Sequence, residues 1–108
     1  MSRYVVLYHA QTSASEQMQQ SEDEGQAEMQ AWMDWAQNAG DALVDMGTPL
    51  GATAVVSADG RADEASTAVG YSILEADDLD VAAAMMQGHR HRRIGTIHIH
   101  ETLVVPGM

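Results

Sequence analysis

Strand-type and helix-type patterns follow one another along this chain in the order β-α-β-β-α-β, and few folds accommodate that order. The first strand is predicted at residues 4–9, where β-branched and aromatic residues leave apolar side chains on both faces. The last strand is predicted at residues 96–101, where isoleucine and histidine alternate and so lie on opposite faces. We therefore expect an α+β domain with a ferredoxin-like βαββαβ layout.

Both helices carry start and stop signals. Residues 21–24 match a capping box, with acids at the positive end of the helix dipole, and Gly40 supplies the stop. The second helix is predicted to begin after the capping residue Asp77 and to end at Gly88. The apolar stripe expected on the first helix consists of Met29, Trp32, Met33, Ala36 and Ala39.

Strand patterns also occupy the segment between the two helices. Residues 42–46 form a short strand that residues 53–57 extend or repeat, and residues 67–74 form the third strand. The polar residues 11–20 and 61–66 are expected to be irregular connections.

A single domain spanning residues 1–108 follows from the length of the chain. In the βαββαβ layout both helices cover one face of the sheet and leave the other face bare. A half-apolar bare face in so small a protein is usually covered by a second copy. We therefore expect a symmetric homodimer.

The composition excludes several chemistries. The chain has no Cys and no Lys, which removes thiolate nucleophiles, disulfides, Cys-based zinc sites and lysine Schiff bases. It also has no Gly-rich phosphate loop, no serine nucleophile elbow and no zinc-protease motif. Any chemistry must therefore use His, carboxylates, Tyr, Ser, Thr or a bound cofactor, and the sequence gives no motif from which we would predict a cofactor or a metal.

Net charge and hydropathy limit the classes of partner that this protein is expected to bind. The formal net charge of −11 repels phosphate backbones, so we expect no nucleic-acid partner. No apolar run approaches the length of a membrane span, and the first residues lack the pattern of a signal peptide. The expectation is a cytoplasmic protein without a membrane partner.

Histidines near the C-terminus are the strongest chemical signal. His98 and His100 lie two apart on a strand and therefore on one side, where they could flank a substrate or ligate a metal. His9 joins them if the first and last strands pair. His9 or His98 could act as an acid or base with Asp45 as the orienting carboxylate, because histidine titrates nearest neutrality. The simpler alternative is that His98 and His100 have no chemical role and are polar residues on a sheet face that is solvent-exposed or buried in a dimer.

Three further side chains complete the predicted ligand-binding set with His100. Trp35 lies off the main helical stripe and suits a pocket rim or a dimer contact. Tyr71 lies on the third strand. His89 opens the basic segment 89–93, which could clamp an anionic group, or could simply complement the helix end and neighbouring acids.

Residues 70–101 (GYSILEADDLDVAAAMMQGHRHRRIGTIHIHE) resemble the C-terminal half of the YCII-related family, including its DGPF branch. The shared pattern is a Gly-aromatic strand, an acidic helix start, an Ala-rich helix, a Gly-His step and a final strand. The spacing from Trp32 through Gly40 to residues 47–49 agrees as well, so the resemblance covers nearly the whole chain. It implies a dimeric α+β barrel in which two sheets face each other around a cavity.

The chain departs from that family at two places. Some members resemble enzymes with a His–Asp dyad on the first helix, and those positions correspond here to about Met29 and to Asn38 or Ala39, so the dyad does not carry over. The tetrapeptide that names the DGPF branch survives only as residues 59–62, DGRA.

The leading hypothesis from the sequence is a dimeric barrel that binds a small, partly apolar ligand through His9, His98 and His100. Any catalysis would be proton transfer or a lyase-type step, and whether the protein is an enzyme stays open. The alternatives are a metal-binding protein that uses the paired histidines, and a structural or regulatory dimer without a ligand site.

Overall fold

The computed structural model describes residues 2–11, 22–64 and 66–107. Its strands are β1 (Ser2–Ala10), β2 (Leu43–Asp45), β3 (Ala54–Ser57), β4 (Gly60–Asp63), β5 (Ala68–Ala76) and β6 (Gly95–Glu101). Its α-helices are α1 (Glu22–Ala39) and α2 (Leu79–Met86), and short 3-10 turns span Gly40–Ala42 and Arg90–Arg93.

Four strands form one sheet in the order β2-β5-β1-β6, and every neighbouring pair is antiparallel. The expected α+β class is confirmed, and this strand order is compatible with a ferredoxin-like arrangement. β1 and β5 are the two inner strands, and β1 hydrogen-bonds to β5 along one edge and to β6 along the other.

β3 and β4 form a separate two-stranded hairpin. Residues 53–57 therefore do not extend β2. The irregular connection predicted at residues 61–66 is wrong for residues 61–63, which belong to β4 and pair with β3. Polar composition misled here because an exposed hairpin needs no apolar face. All eight of its residues are exposed.

The connection predicted at residues 11–20 falls, from residue 12 onward, outside the described residues. So does Ser21, the predicted capping residue of α1. At the second helix the cap is Asp78 and not Asp77, because the Asp78 carboxylate accepts from the Val81 N–H at 2.8 Å.

The buried stripe of α1 differs from the predicted one. Met29 and Met33 are 59% and 43% exposed, whereas Trp35 is only 8% exposed. The side chains that pack on the core are Trp32, Trp35, Ala36 and Ala39. Their spacing is still that of one helical face, but its centre lies on Trp35, because the two indoles and not the methionines fill the space above the sheet.

Alternation along β1 separates two environments. Tyr4, Val6 and Tyr8 are at most 1% exposed and lie beneath the helices, in the main hydrophobic core. The residues between them point to the other side of the sheet. Cross-strand pairing places the neighbours of Leu7 on that same side, namely Tyr71 on β5 and His98 on β6.

We call this second surface the open sheet face. It consists of Val5, Leu7, His9, Tyr71, Ile73, His98 and His100, all of which are partly or fully exposed. The chain measures 49 × 41 × 18 Å. Its shortest dimension accommodates one sheet and one helical layer, since packed layers lie about 10 Å apart. No element among the described residues covers the open sheet face.

Gly47 fixes how the segment after β2 approaches the sheet. Its φ is +78°, and a Cβ built there would lie 1.7 Å from the carbonyl oxygen of Tyr71. Glycine is therefore required at this position both for its conformation and for its contact with the β5 backbone.

Gly47→Ala should lower the free energy of unfolding by about 2 kcal/mol or more, because the new methyl group forces the β2–β5 contact apart in a strained conformation. Urea denaturation followed by circular dichroism measures this loss. Gly25→Ala is the matched control, since nothing lies within 4 Å of its Cβ and alanine favours the helix. Equal stability of the Gly47→Ala protein and wild type would contradict this account of the turn.

Candidate functional site

Three histidines meet on the open sheet face because β1 pairs with β6. His9 lies opposite Thr96, and Leu7 lies opposite His98, so His9 and His98 are diagonal neighbours on one side. Their ring centroids are 4.2 Å apart, and the rings of His98 and His100 are 6.4 Å apart. The predicted grouping of His9 with the C-terminal histidines therefore exists in the structure.

Hydrogen bonds orient two of the three rings. Nδ1 of His9 shares a hydrogen bond with the Thr67 hydroxyl at 2.9 Å. Nε2 of His98 shares one with the Thr96 hydroxyl at 3.2 Å. In both cases the other ring nitrogen remains available for a different partner, which is the arrangement that proton transfer requires.

Loss of solvation lowers the pKa of His9, and the positive charges of His98 and His100 lower it further. A protonated His98 or His100 opposes protonation of His9, because like charges would then lie close together. The neutral form of His9 is consequently favoured down to more acidic pH than usual, and a neutral imidazole can accept a proton.

Asp45 does not orient either histidine. It lies on the edge strand β2, which is separated from β1 by β5. Its carboxylate accepts from the Gly47 N–H at 2.8 Å and lies 3.5 Å from the Tyr71 hydroxyl. The predicted pairing of Asp45 with His9 or His98 therefore does not occur within one chain, because one strand separates β2 from β1 and two strands separate β2 from β6.

Apolar side chains flank the histidines on the open sheet face. Val5 lies opposite His100, and Ile73 lies opposite Val5 on the other neighbouring strand. Tyr71 of the predicted ligand-binding set also lies on this face, opposite Leu7. The surface thus combines a histidine group with a band of apolar and aromatic residues.

Trp35 and His89, also predicted as ligand-binding, lie on the opposite side of the sheet. His89 is 1% exposed and stacks on Tyr8 with ring centroids 5.0 Å apart. Its ring also meets Trp32 and Trp35 edge-to-face at 4.3 and 4.7 Å. These residues cannot share one chamber with His9, because the alternation of β1 directs Tyr8 and His9 to opposite faces.

The sequence counts His91 among the C-terminal histidines and in the basic segment 89–93, but gives it no role of its own. His91 is 4% exposed, and its Nε2 donates to the main-chain carbonyl of His9 at 2.9 Å. Its backbone N–H donates to Nδ1 of His89 at 3.0 Å, so the proton of neutral His89 lies on Nε2. Only the placement of the 3-10 turn beside β1 reveals these hydrogen bonds, since the repeated basic pattern gave no reason to separate His91 from its neighbours.

A cleft of about 1040 Å³ opens on the helical side of the domain. It lies between the second half of α1 and the segment that follows α2. Its lining includes Trp35, Asn38, Met85, Gln87, His89 and Arg92. We call it the helix-side cleft. Of the predicted anion clamp at residues 89–93, it contains His89 and Arg92.

Within the described ranges, no group of three His, Asp or Glu side chains is placed to hold a metal ion. The paired histidines of the open sheet face do not gain a third ligand there. In the same parts of the chain, no helix has the length and apolar character needed to cross a membrane.

No protein-family model matches this chain, and no curated protein matches it in sequence.

Replacing His98 should raise the pKa of His9 toward its ordinary value of 6.5, because the like charge that opposes protonation is removed while the loss of solvation remains. The measurement is an NMR titration of the His9 ring in wild type and in His98→Gln. Asp45→Asn serves as the control and should leave the His9 titration unchanged. A larger effect of Asp45→Asn than of His98→Gln would contradict the placement of these groups.

Proposed function

We propose that this protein works as a homodimer whose two open sheet faces enclose a chamber for a small, partly apolar ligand. His9, His98 and His100 would be the polar groups of that chamber. The observation that carries the proposal is the contact between His9 and His98 in the middle of a half-apolar sheet surface. A dimeric α+β barrel of the YCII-related type, as the sequence resemblance implies, belongs to this proposal.

The size of the open sheet face supports a second copy as its cover. Four strands about 4.8 Å apart and up to nine residues long present roughly 500 Å² per chain, and two chains would bury roughly 1,000 Å². That value is at the lower bound for a specific interface, roughly 1,000 Å². The open sheet face is therefore just large enough for a dimer interface, and contacts outside this face would make the dimer more stable.

The segment after β6 offers those contacts. Leu103, Val104 and Val105 are 78%, 91% and 54% exposed. Thr102 anchors the start of the segment, since its N–H and hydroxyl both donate to the Arg3 carbonyl, at 3.0 and 2.9 Å. Three consecutive exposed apolar residues next to an uncovered sheet are costly in water, and a second chain would relieve that cost.

Charge is compatible with self-association despite the net charge of −11. The nearby acidic groups lie beside the open sheet face and not within it. Asp45 is on the edge strand β2, and Glu75 is paired with Arg3 at 3.3 Å. The centre holds histidines and apolar residues. Long-range repulsion would slow the encounter of two chains without placing unpaired carboxylates inside the interface.

In such a chamber His9 would accept a proton from the ligand, since its lowered pKa keeps it neutral. His98, whose ring centroid lies 4.2 Å from that of His9, would in its protonated form donate a proton of its own to the ligand, and His9 would later release the proton that it accepted. This pair suits proton transfer or a lyase-type step on a small ligand. His98 and His100 are exposed in the single chain, so the chemistry depends on the second copy to exclude water.

Leu7→Arg should dissociate the dimer, because it places an unpaired charge at the centre of the proposed interface. The dimer Kd should rise roughly a hundredfold or more, since a buried unpaired charge costs several kcal/mol. Sedimentation velocity over a micromolar concentration series measures this change. Met29→Arg, on the exposed side of α1, is the control and should leave the dimer intact. A folded wild-type monomer throughout the series would disprove the proposed assembly.

Removal of both His98 and His100 should abolish ligand-induced stabilisation. The probes are a panel of small carbonyl compounds and carboxylic acids in a thermal-shift assay, with wild type and the double variant His98→Ala, His100→Ala compared. Arg61→Ala, which removes an exposed ion pair of the hairpin, is the control. Unchanged shifts in the double variant would contradict the histidine site.

Elemental analysis of untagged protein separates the metal-binding alternative from this proposal. A stoichiometric transition metal would replace proton transfer by metal binding as the function of the histidines. A dimer structure with the chamber filled by side chains would instead favour the structural or regulatory alternative.

A further inference from the structure

We propose that the helix-side cleft is a second binding site, independent of the chamber, that takes a small aromatic carboxylate. Its volume of about 1040 Å³ is just above the usual range of small-molecule sites, roughly 300–1,000 Å³. Its lining contains Trp35 and His89, which we call the aromatic wall, and Arg92. Aromatic side chains beside an arginine suit a ligand that has a planar apolar ring and one anionic group.

The aromatic wall is held rigidly. The indole N–H of Trp35 donates to the Met85 carbonyl at 3.3 Å, which ties α1 to α2 across the cleft. Behind it, the Trp35 ring meets His89 edge-to-face at 4.7 Å. Trp35 is 8% exposed, so a ligand ring would contact the accessible part of this wall and not its whole face. A wall fixed in this way loses little entropy on such a contact, so the site is preorganised for an aromatic ring.

The cationic group is Arg92. Its guanidinium donates to the main-chain carbonyl of Gln87, and this contact holds the side chain at the cleft. Within the part of the chain that the structure describes, the ion pairs join Arg3 to Glu75 and Arg61 to Asp63, and Arg92 has no carboxylate partner. An arginine without a counter-ion in so acidic a protein is available for an anionic ligand.

The one acid among the lining residues does not cancel this charge. Asp34 accepts a hydrogen bond from the Gln30 side chain at 2.8 Å, one turn earlier on α1. The amides of Asn38 and Gln87 supply further hydrogen-bonding groups around the cleft. A monoanion is therefore favoured over a dianion, because Asp34 and the acidic surface oppose a second negative charge.

The test compares 3-phenylpropanoate with its neutral analogue 3-phenylpropanamide. Both tryptophans of the chain lie on α1, so their fluorescence, excited where the probes do not absorb, reports binding. We expect saturable changes with both probes, and roughly three- to tenfold tighter binding of the carboxylate, as suits one partly exposed Arg–carboxylate pair. In Arg92→Gln that preference should disappear, whereas Arg61→Gln, the matched surface arginine, should retain it.

An NMR titration with 3-phenylpropanoate locates the site and separates it from the chamber. The indole N–H signal of Trp35 should shift while the ring signals of His98 stay in place. Shifts at His98 without shifts at Trp35 would place the probe on the open sheet face and overturn the inference. No fluorescence change at millimolar probe, or an unchanged preference in Arg92→Gln, would overturn it as well.

Discussion

The pairing of β1 with both β5 and β6 is the constraint on which the rest of the structure depends. A central antiparallel strand sends alternate side chains to opposite faces, so two adjacent residues enter different environments. Tyr8 joins the buried rings beneath the helices, while His9 joins the histidines of the open sheet face. A register slip of one residue would move the buried rings to the open sheet face and the histidines beneath the helices. The close packing on the helical side therefore also determines which residues lie on the open sheet face.

Much of the fold follows from period and punctuation in the sequence. The strict alternation in β6 predicted that His98 and His100 share a face. The sequence placed His9 with them on the condition that the first and last strands pair, and the structure meets that condition. Gly40, with a φ of +58°, ends α1 where the sequence placed the stop. These features are local or topological, so they can be read without knowing any side-chain contact.

The sequence-based predictions that failed share one cause. Sequence patterns do not specify the distance between side chains on different strands, or which side chains of a helix are buried most deeply. Asp45 has a suitable chemical type, but its distance from His9 depends on the strand that lies between β2 and β1. The centre of the α1 stripe lies on Trp35, and not between the methionines, because ring volumes decide which side chains fill the space above the sheet. The roles of His89 and His91 similarly depend on a 3-10 turn that lies against the end of β1.

The β3–β4 hairpin has a consequence for how this domain can change. Its two strands pair with each other and leave all eight residues exposed, although the hairpin connects β2 to β5. The main sheet therefore depends on the segment directly after β2, where Gly47 and Pro49 contact β5, and depends little on the sequence of the hairpin itself. Loops of this kind tolerate insertion. The turn at residues 58–59 is accordingly where a reporter peptide or a whole additional module could be accommodated with little disturbance of the sheet.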